Sequence, residues 1–532
     1  MKNIFKFLMV ILLLVPLGCD SDFEQINTDP KQTSASAFNA NYLLAQAQFE
    51  HSNTGYSQLL FQSMWSQVLA STFGYYSNGD KYVGSGSLIS YQNRIFEEQY
   101  RAAALDVEIQ KLVKDKPELS NLSAVSTIMK VEIMQLITDC YGDIPYSEAL
   151  QASSGVSTPV YDTQQSIYTA MLTELETAIT SLDASKAIPT NDVIYKGDII
   201  SWKKFGYSLM LKIAMRMTKI SASTAQTWAE KAAVGGTFSS IDDNARVYTQ
   251  NSTGFGNNTT GALLVGDDYR EVRWSETFIS FLKSTNDPRL GVIAEVPAAG
   301  KTANANQALA GDSNPAIQIG LPNGHDLNGG ATDITNYGLY PGATGTGDDA
   351  APLGKYSRPV TGLYLSRDAP NFLLSYSQTE LLLAEAKARG WNVGATTAAQ
   401  HYSNGVIAAM TSLAQFNATT GAISSGDATT YATAHPLDVT TLSASLKMIN
   451  EQYWVTTGSL FNFIETWSNW RRSGFPVLTP VTYASQFSAG AIPRRIPYQS
   501  QEPANNPVNY ADAVGRLSSG DTFGSRIWWD AQ

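Results

Sequence analysis

Residues 449–476 read INEQYWVTTGSLFNFIETWSNWRRSGFP, and the packing demands of this stretch organise the rest of the chain. Leading into it, Leu442, Leu446, Ile449 and Tyr453 are spaced +4, +3 and +4, which is one face of a helix. Gly458 is expected to break that helix, and a second helix carries Phe461, Ile464, Trp467 and Trp470. Gly474 followed by Pro476 is a stop, since glycine tolerates the left-handed cap and proline cannot continue a helix. Two helices this rich in aromatics, joined by a short turn, must bury a shared face against other helices. Trp467, Trp470, Arg471 and Arg472 follow the stripe and are assigned to the core and its helix ends.

Partners for that face are written along the chain. A helical pattern covers Asn41 to Ala70, and another runs from about Gln92 to Lys114. Leu122, Val125, Met129, Ile133, Leu136 and Cys140 then repeat at +3, +4, +4, +3 and +4, which puts Cys140 on a buried face as a small core residue. Further helices are predicted at about 164–182, 201–220, 378–390 and 397–413. The pattern is mainly α, a tetratricopeptide-like set of helix pairs without a strict 34-residue period, and such pairs bury their faces only by stacking. Between them lie Gly-, Asn-, Thr- and Ala-rich insertions around 235–270 and 297–359. Loops of that length in a compact protein carry function or are disordered. The last region, from Phe475, is irregular but ends in Trp528 and Trp529, which are expected to tuck back onto the body.

The 532 residues are 43% hydrophobic, and only 16% are charged against about 25% in an average soluble protein. The net charge of −11 and the lack of a basic stripe argue against nucleic acid, whose phosphates require one. Residues 1–18 read as a signal peptide, with Lys2 and Lys6 ahead of an apolar run too short to span a bilayer. Leu17-Gly18-Cys19 resembles a lipobox, so Cys19 is the expected lipidation site, and residues 19–36 are the anchor and tether of a single domain at 37–532. With Cys19 acylated, Cys140 has no disulfide partner.

Catalytic motifs are absent from the sequence. The four histidines form no HExxH or close pair, and no GxSxG occurs. Ala298–Thr302, AAGKT, imitates the end of a phosphate loop but lacks the leading glycine and strand. Asp267, Asp268, Asp348 and Asp349 are read as solvated loop acids. Such oxygens also suit a structural calcium ion, although no EF-hand spacing is present. What remains is a binding surface, for which flat aromatic faces and a few amides or charges suit carbohydrate or peptide. The best cluster is Tyr75, Tyr76, Asn78, Asp80 and Tyr82 in a Gly/Ser loop, with Trp274, Tyr337 and Tyr340 next.

Five ordered blocks carry a resemblance. ETWSNWRRSGFP (465–476), IPRRIPYQSQEPANNPVNY (492–510), DCYGDIPYSEAL (139–150), STNDPRL (284–290) and SYSQTELLLAEAKARGW (375–391) resemble the SusD/RagB family of outer-membrane nutrient-binding lipoproteins. The resemblance implies a SusD-like helical scaffold on the outer membrane, without enzymatic activity and without a cofactor. It also implies a lid on a SusC-like TonB-dependent transporter, with an oligosaccharide or peptide held between lid and barrel. The family's ligand loops align poorly, so no individual contact is carried over. A surface glycan-degrading enzyme and a helical-repeat scaffold recruiting other surface proteins are the alternatives.

Overall fold

Helix starts are set locally. Thr163, Thr397 and Thr441 each cap a helix by accepting from the backbone N–H three residues on, and Asp198 accepts from Ile200 and Ser201. Ser375 and Gln378 close a reciprocal capping box. In the computed structural model, which describes residues 38–85, 87–264, 266–297, 308–342 and 352–531, these caps open helices of the predicted kind. The signal peptide, Cys19, the tether, Ala298–Thr302, Asp348 and Asp349 lie outside the described residues.

The longer helices are α1 (Asn41–Ser52), α2 (Leu88–Val113), α3 (Ser120–Tyr141), α4 (Gln164–Ser181), α5 (Ile199–Arg216), α6 (Ala222–Gly235), α7 (Tyr376–Ala388), α8 (Ala398–Thr411), α9 (Ser425–Ala434), α10 (Leu442–Ser459) and α11 (Phe463–Ser473). Successive helices pack as neighbours from α1 to α6 and from α7 to α9, and α7 also packs on α5 and α10. Residues Asn41–Gln532 form one compact unit. Among the described residues no helix is long and apolar enough to cross a membrane. Among the described residues strands come in three short antiparallel pairs: β1 (Leu69–Ser71) with β3 (Val272–Trp274), β2 (Ala245–Val247) with β6 (Asn371–Leu374), and β4 (Ala294–Glu295) with β5 (Arg358–Pro359).

Three expectations need correction. Gly458 does not break its helix, since α10 runs through it to Ser459 and the chain turns at Phe461, whose φ is 57°. The approach is close there, because a Cβ would sit 3.1 Å from both Val68 and Phe278 and those side chains would have to give by a few tenths of an ångström. The pattern over Asn41 to Ala70 is not one helix but α1, two short helices and β1. The insertion around 235–270 is not bare loop, as it holds β2 and short helices at Asn258–Ala262 and Gly266–Glu271.

The core around α11 is polar as well as aromatic. Trp467 is fully buried, with the Arg471 guanidinium carbon 3.4 Å from its ring centroid. Arg472 forks onto Glu385 at 2.8 Å through each terminal nitrogen, and Arg389 reaches the same carboxylate at 2.8 Å. Burial alone would raise the Glu385 pKa, but the two arginines bring it down to about 2. The carboxylate of Asp139 on α3 accepts from Arg216 at 3.0 Å and from the Trp529 indole at 3.0 Å, which seats the C-terminal tail on the body. Cys140 is buried beside it.

Candidate ligand-binding face

The face is built outward from β1, whose residues are all buried. Two residues past its end the chain turns through a short 3₁₀ helix, Gly74–Tyr76, then a single α turn, Ser77–Asp80. Asp80 is buried and ties this corner to a second loop: it accepts from Ser71 N at 3.2 Å, Asn323 Nδ2 at 2.7 Å and Gly324 N at 2.8 Å, with Lys81 Nζ at 3.2 Å. The loop beginning at Asn323 carries His325, Tyr337 and Tyr340, and the two tyrosines pack against Ala70 of β1 and its neighbours. Both aromatic rims therefore hang from one strand.

On the first rim Phe73 is 37% exposed and Tyr75 is half-buried. The Tyr75 ring meets Tyr56 at 5.9 Å and Tyr91 at 6.0 Å, both edge-on, and the Tyr75 and Tyr91 hydroxyls are hydrogen-bonded. Behind them the Asp268 carboxylate accepts from the hydroxyls of Tyr56 and Tyr76, the latter at 2.8 Å. Burial first, then the bond to Asp268 or to Tyr91, pushes the pKa of Tyr56, Tyr76 and Tyr75 above the ordinary tyrosine value, so all three stay neutral donors. Beside this cluster lies a cavity of about 200 Å³ lined by Asn53, Tyr56, Arg94, Asn258 and Arg367. Arg94 is held by Glu98 at 2.7 Å, whereas Arg367 forms no ion pair among the described residues. Gly261 leaves room for it, since a Cβ there would meet the Arg367 guanidinium at 2.8 Å. On the second rim Tyr337 donates to Glu276 at 2.8 Å and is pushed up to about 12 by burial and that carboxylate. Its ring sits 5.1 Å from His325, and Tyr483 reaches Asp326 at 2.5 Å.

Of the predicted binding residues only Tyr75 offers a ring to a ligand on the first rim. Tyr76, Asn78, Tyr82 and Trp274 are fully buried, which corrects their reading as ligand contacts. Asn78 Oδ1 accepts from Ser85 N, Tyr82 turns inward at φ 58°, and Trp274 stacks on Phe278 at 5.1 Å while donating to Ile293 O. Of these, Tyr76 lies beneath the surface rings, against Phe73 and Tyr75. Tyr337 and Tyr340, ranked second in the sequence, are half-exposed on the other rim. Sequence reasoning missed Tyr56, Tyr91, Arg94 and Arg367, which come from three separate parts of the chain, Tyr91 and Arg94 both from α2, and converge only in the fold. Tyr91 was hidden in an apolar helical stripe with Ile95 and Ala102. The side chain of Asp267 is outside the described residues, and among those described no three His, Cys, Asp or Glu side chains gather to hold a metal ion.

Rings, hydroxyls and guanidinium groups side by side offer stacking and hydrogen bonds. Comparison with known proteins agrees with the helical fold. Residues 29–499 match the SusD-like family described as starch-binding and associating with the outer membrane. A solved chitin-binding protein is similar over 93% of this chain and 100% of its own, at 29% identity and a TM-score of 0.78. A chitin-binding SusD homologue from Flavobacterium johnsoniae is 24% identical, with TM-score 0.72 over 93% of this chain and 99% of its own. A SusD-like protein from Bacteroides thetaiotaomicron shares 22% identity and a TM-score of 0.71 over 92% and 98%. Among curated proteins no match was found. With the helix pairs, the five sequence blocks and the family match all spanning most of the chain, the protein belongs to the SusD-like family.

Proposed function

We propose that this protein captures oligosaccharide at the face carried by β1 and passes it to a TonB-dependent outer-membrane transporter for which it serves as the lid. Cys19 would be its lipid anchor on the cell surface, and the lid performs no chemistry of its own. The observation that carries the reading is the juxtaposition of Tyr75, Tyr56 and Arg94 with Arg367, which has no ion pair among the described residues, at a cavity of about 200 Å³. Half-exposed rings suit the apolar faces of sugars, and guanidinium and amide groups suit their hydroxyls. Two of the similar structures are of chitin-binding proteins, so N-acetylglucosamine oligomers are the first ligands to test. Titration calorimetry with these oligomers and with maltooligosaccharides should show binding to one series. Tyr75→Ala and Arg367→Ala should each weaken it about tenfold, the effect of about 1.4 kcal/mol. Binding to neither series, or binding untouched by both variants, would sink the glycan reading. Affinity capture from detergent-solubilised membranes tests the lid role: recovery without a barrel partner would refute it.

A further inference from the structure

A second concavity lies on the other side of the same helix. Tyr91 and Arg94, in the opening turns of α2, serve the first site, whereas Gln92 and Asn93 between them face the C-terminal segment: Gln92 Nε2 donates to Tyr498 O at 2.8 Å and Asn93 Nδ2 to Ser500 Oγ at 2.9 Å. There a groove of about 410 Å³ is lined by Gln92, Phe487, Tyr498, Tyr510, Asp521 and Phe523 among others. Its walls are aromatic. Phe487 is stacked on Phe523 with centroids 4.0 Å apart, Tyr498 and Tyr510 meet edge-on at 6.0 Å, and the Phe487 and Tyr510 rings are half-exposed. Its polar groups are fixed in place. Asp521 is held by the fully buried Arg495 at 2.5 Å and by Tyr498 N at 3.0 Å, and it accepts from the Tyr510 hydroxyl at 3.1 Å. With that carboxylate paired inside the protein, the groove suits a neutral polyhydroxylated ligand rather than an ion.

We infer that this groove is a second sugar subsite, so that a long oligosaccharide engages it together with the cavity beside Tyr75 and Arg94. The inference rests on the glycan reading given above and adds to it a chain-length preference. The two concavities flank a helix about 10–12 Å across, so a short oligomer fills one and a long one reaches both. Joining two weak sites through one ligand multiplies affinity without new contacts at either.

The test is calorimetry of the full mature protein with N-acetylglucosamine or maltose-series oligomers, as trisaccharide and as octasaccharide, using two variants of the groove. Tyr510→Ala removes a wall, and Thr522→Trp fills the groove from an exposed position. Both should lower octasaccharide affinity at least tenfold and leave the trisaccharide unchanged, while Tyr75→Ala weakens both ligands. Octasaccharide binding unchanged in both variants overturns the second subsite and leaves the first standing. Equal losses for the two lengths overturn it as well, since the groove would then act through the first site. If the parent protein binds no oligomer at either length, both readings fall together.

Discussion

Replacing Glu385 with glutamine removes the charge that Arg472 and Arg389 share in the core. Two routes give the size of the effect. A carboxyl moved from an ordinary 4.5 to about 2 on folding contributes about 3 kcal/mol at neutral pH. Independently, stripping one partner from a buried ion pair costs about 3–5 kcal/mol, because the other charge is left uncompensated. Folding depresses this pKa, so the contribution is complete above 4.5 and is lost as pH falls from there through 2. For 532 residues the unfolding entropy is of the order of 1 kcal/mol per kelvin, so 3 kcal/mol lowers the melting temperature by about 3 °C. Chemical denaturation of parent and Glu385→Gln at pH 7, 5 and 3.5 should show a gap near 3 kcal/mol that shrinks by about 1 kcal/mol between pH 5 and 3.5. A gap below 1 kcal/mol at pH 7, or one that stays constant down to pH 3.5, would refute the assignment of this pair as the electrostatic centre of the helix scaffold.

Asp106 on α2 is fully buried, neither carboxylate oxygen has a hydrogen-bond partner among the described residues, and burial raises its pKa well above 3.8 against the opposing charge of Lys130. Its stabilising effect is complete below 3.8 and lost as pH rises, so Asp106→Asn should match or exceed the parent's melting temperature at pH 7 and lose that advantage at pH 4; a destabilised variant at pH 7 would contradict this. The Cys140 thiol is pushed up to about 12 by burial, so a chain beginning after Cys19 should resist a maleimide at pH 7.5 until denatured, and rapid native labelling would show the α3 interior to be open. Trp274→Ala should lower stability by about 3–5 kcal/mol in urea, whereas Tyr75→Ala should cost much less; similar losses would place both rings in the floor.

The helices were legible wherever apolar spacing ran unbroken, as from Leu122 to Cys140, because a 3.6-residue period has no competing reading over about five turns. Gly458 misled because an intrinsic helix penalty of about 1 kcal/mol was set against nothing visible in the sequence. The close approach of Val68 and Phe278 that favours glycine exists only after folding. The tyrosine loop misled for a related reason. A Gly/Ser setting around Tyr75, Tyr76 and Tyr82 looks solvated, yet the Tyr76 hydroxyl finds Asp268, 192 residues further along, and its ring goes inside. Adjacent tyrosines in a 3₁₀ turn point in different directions, so composition alone does not separate the half-buried Tyr75 from the buried Tyr76 and Tyr82.

That sorting bears on how the face binds. A loop that presented all its rings to solvent would have to order them around each ligand, at about 0.5–1.5 kcal/mol for each immobilised side chain. Here the inward half does the ordering in advance. Tyr76 meets the Phe73 and Tyr75 rings from below, and Asp80 joins the Phe73–Tyr82 corner to the Asn323 loop through buried, charge-assisted hydrogen bonds worth roughly 1.5–3 kcal/mol apiece. Asn323 also donates to Leu69 O at 2.9 Å, so the second rim is tied to β1 itself. The two rims are thus fixed to β1 in advance, and on the proposed glycan reading selectivity would fall to the few side chains left outside: Phe73, Tyr75, Arg94 and Arg367 on one rim, Tyr337 and Tyr340 on the other. Ligand preference would then change by replacing those outward residues alone, without disturbing the core that positions them.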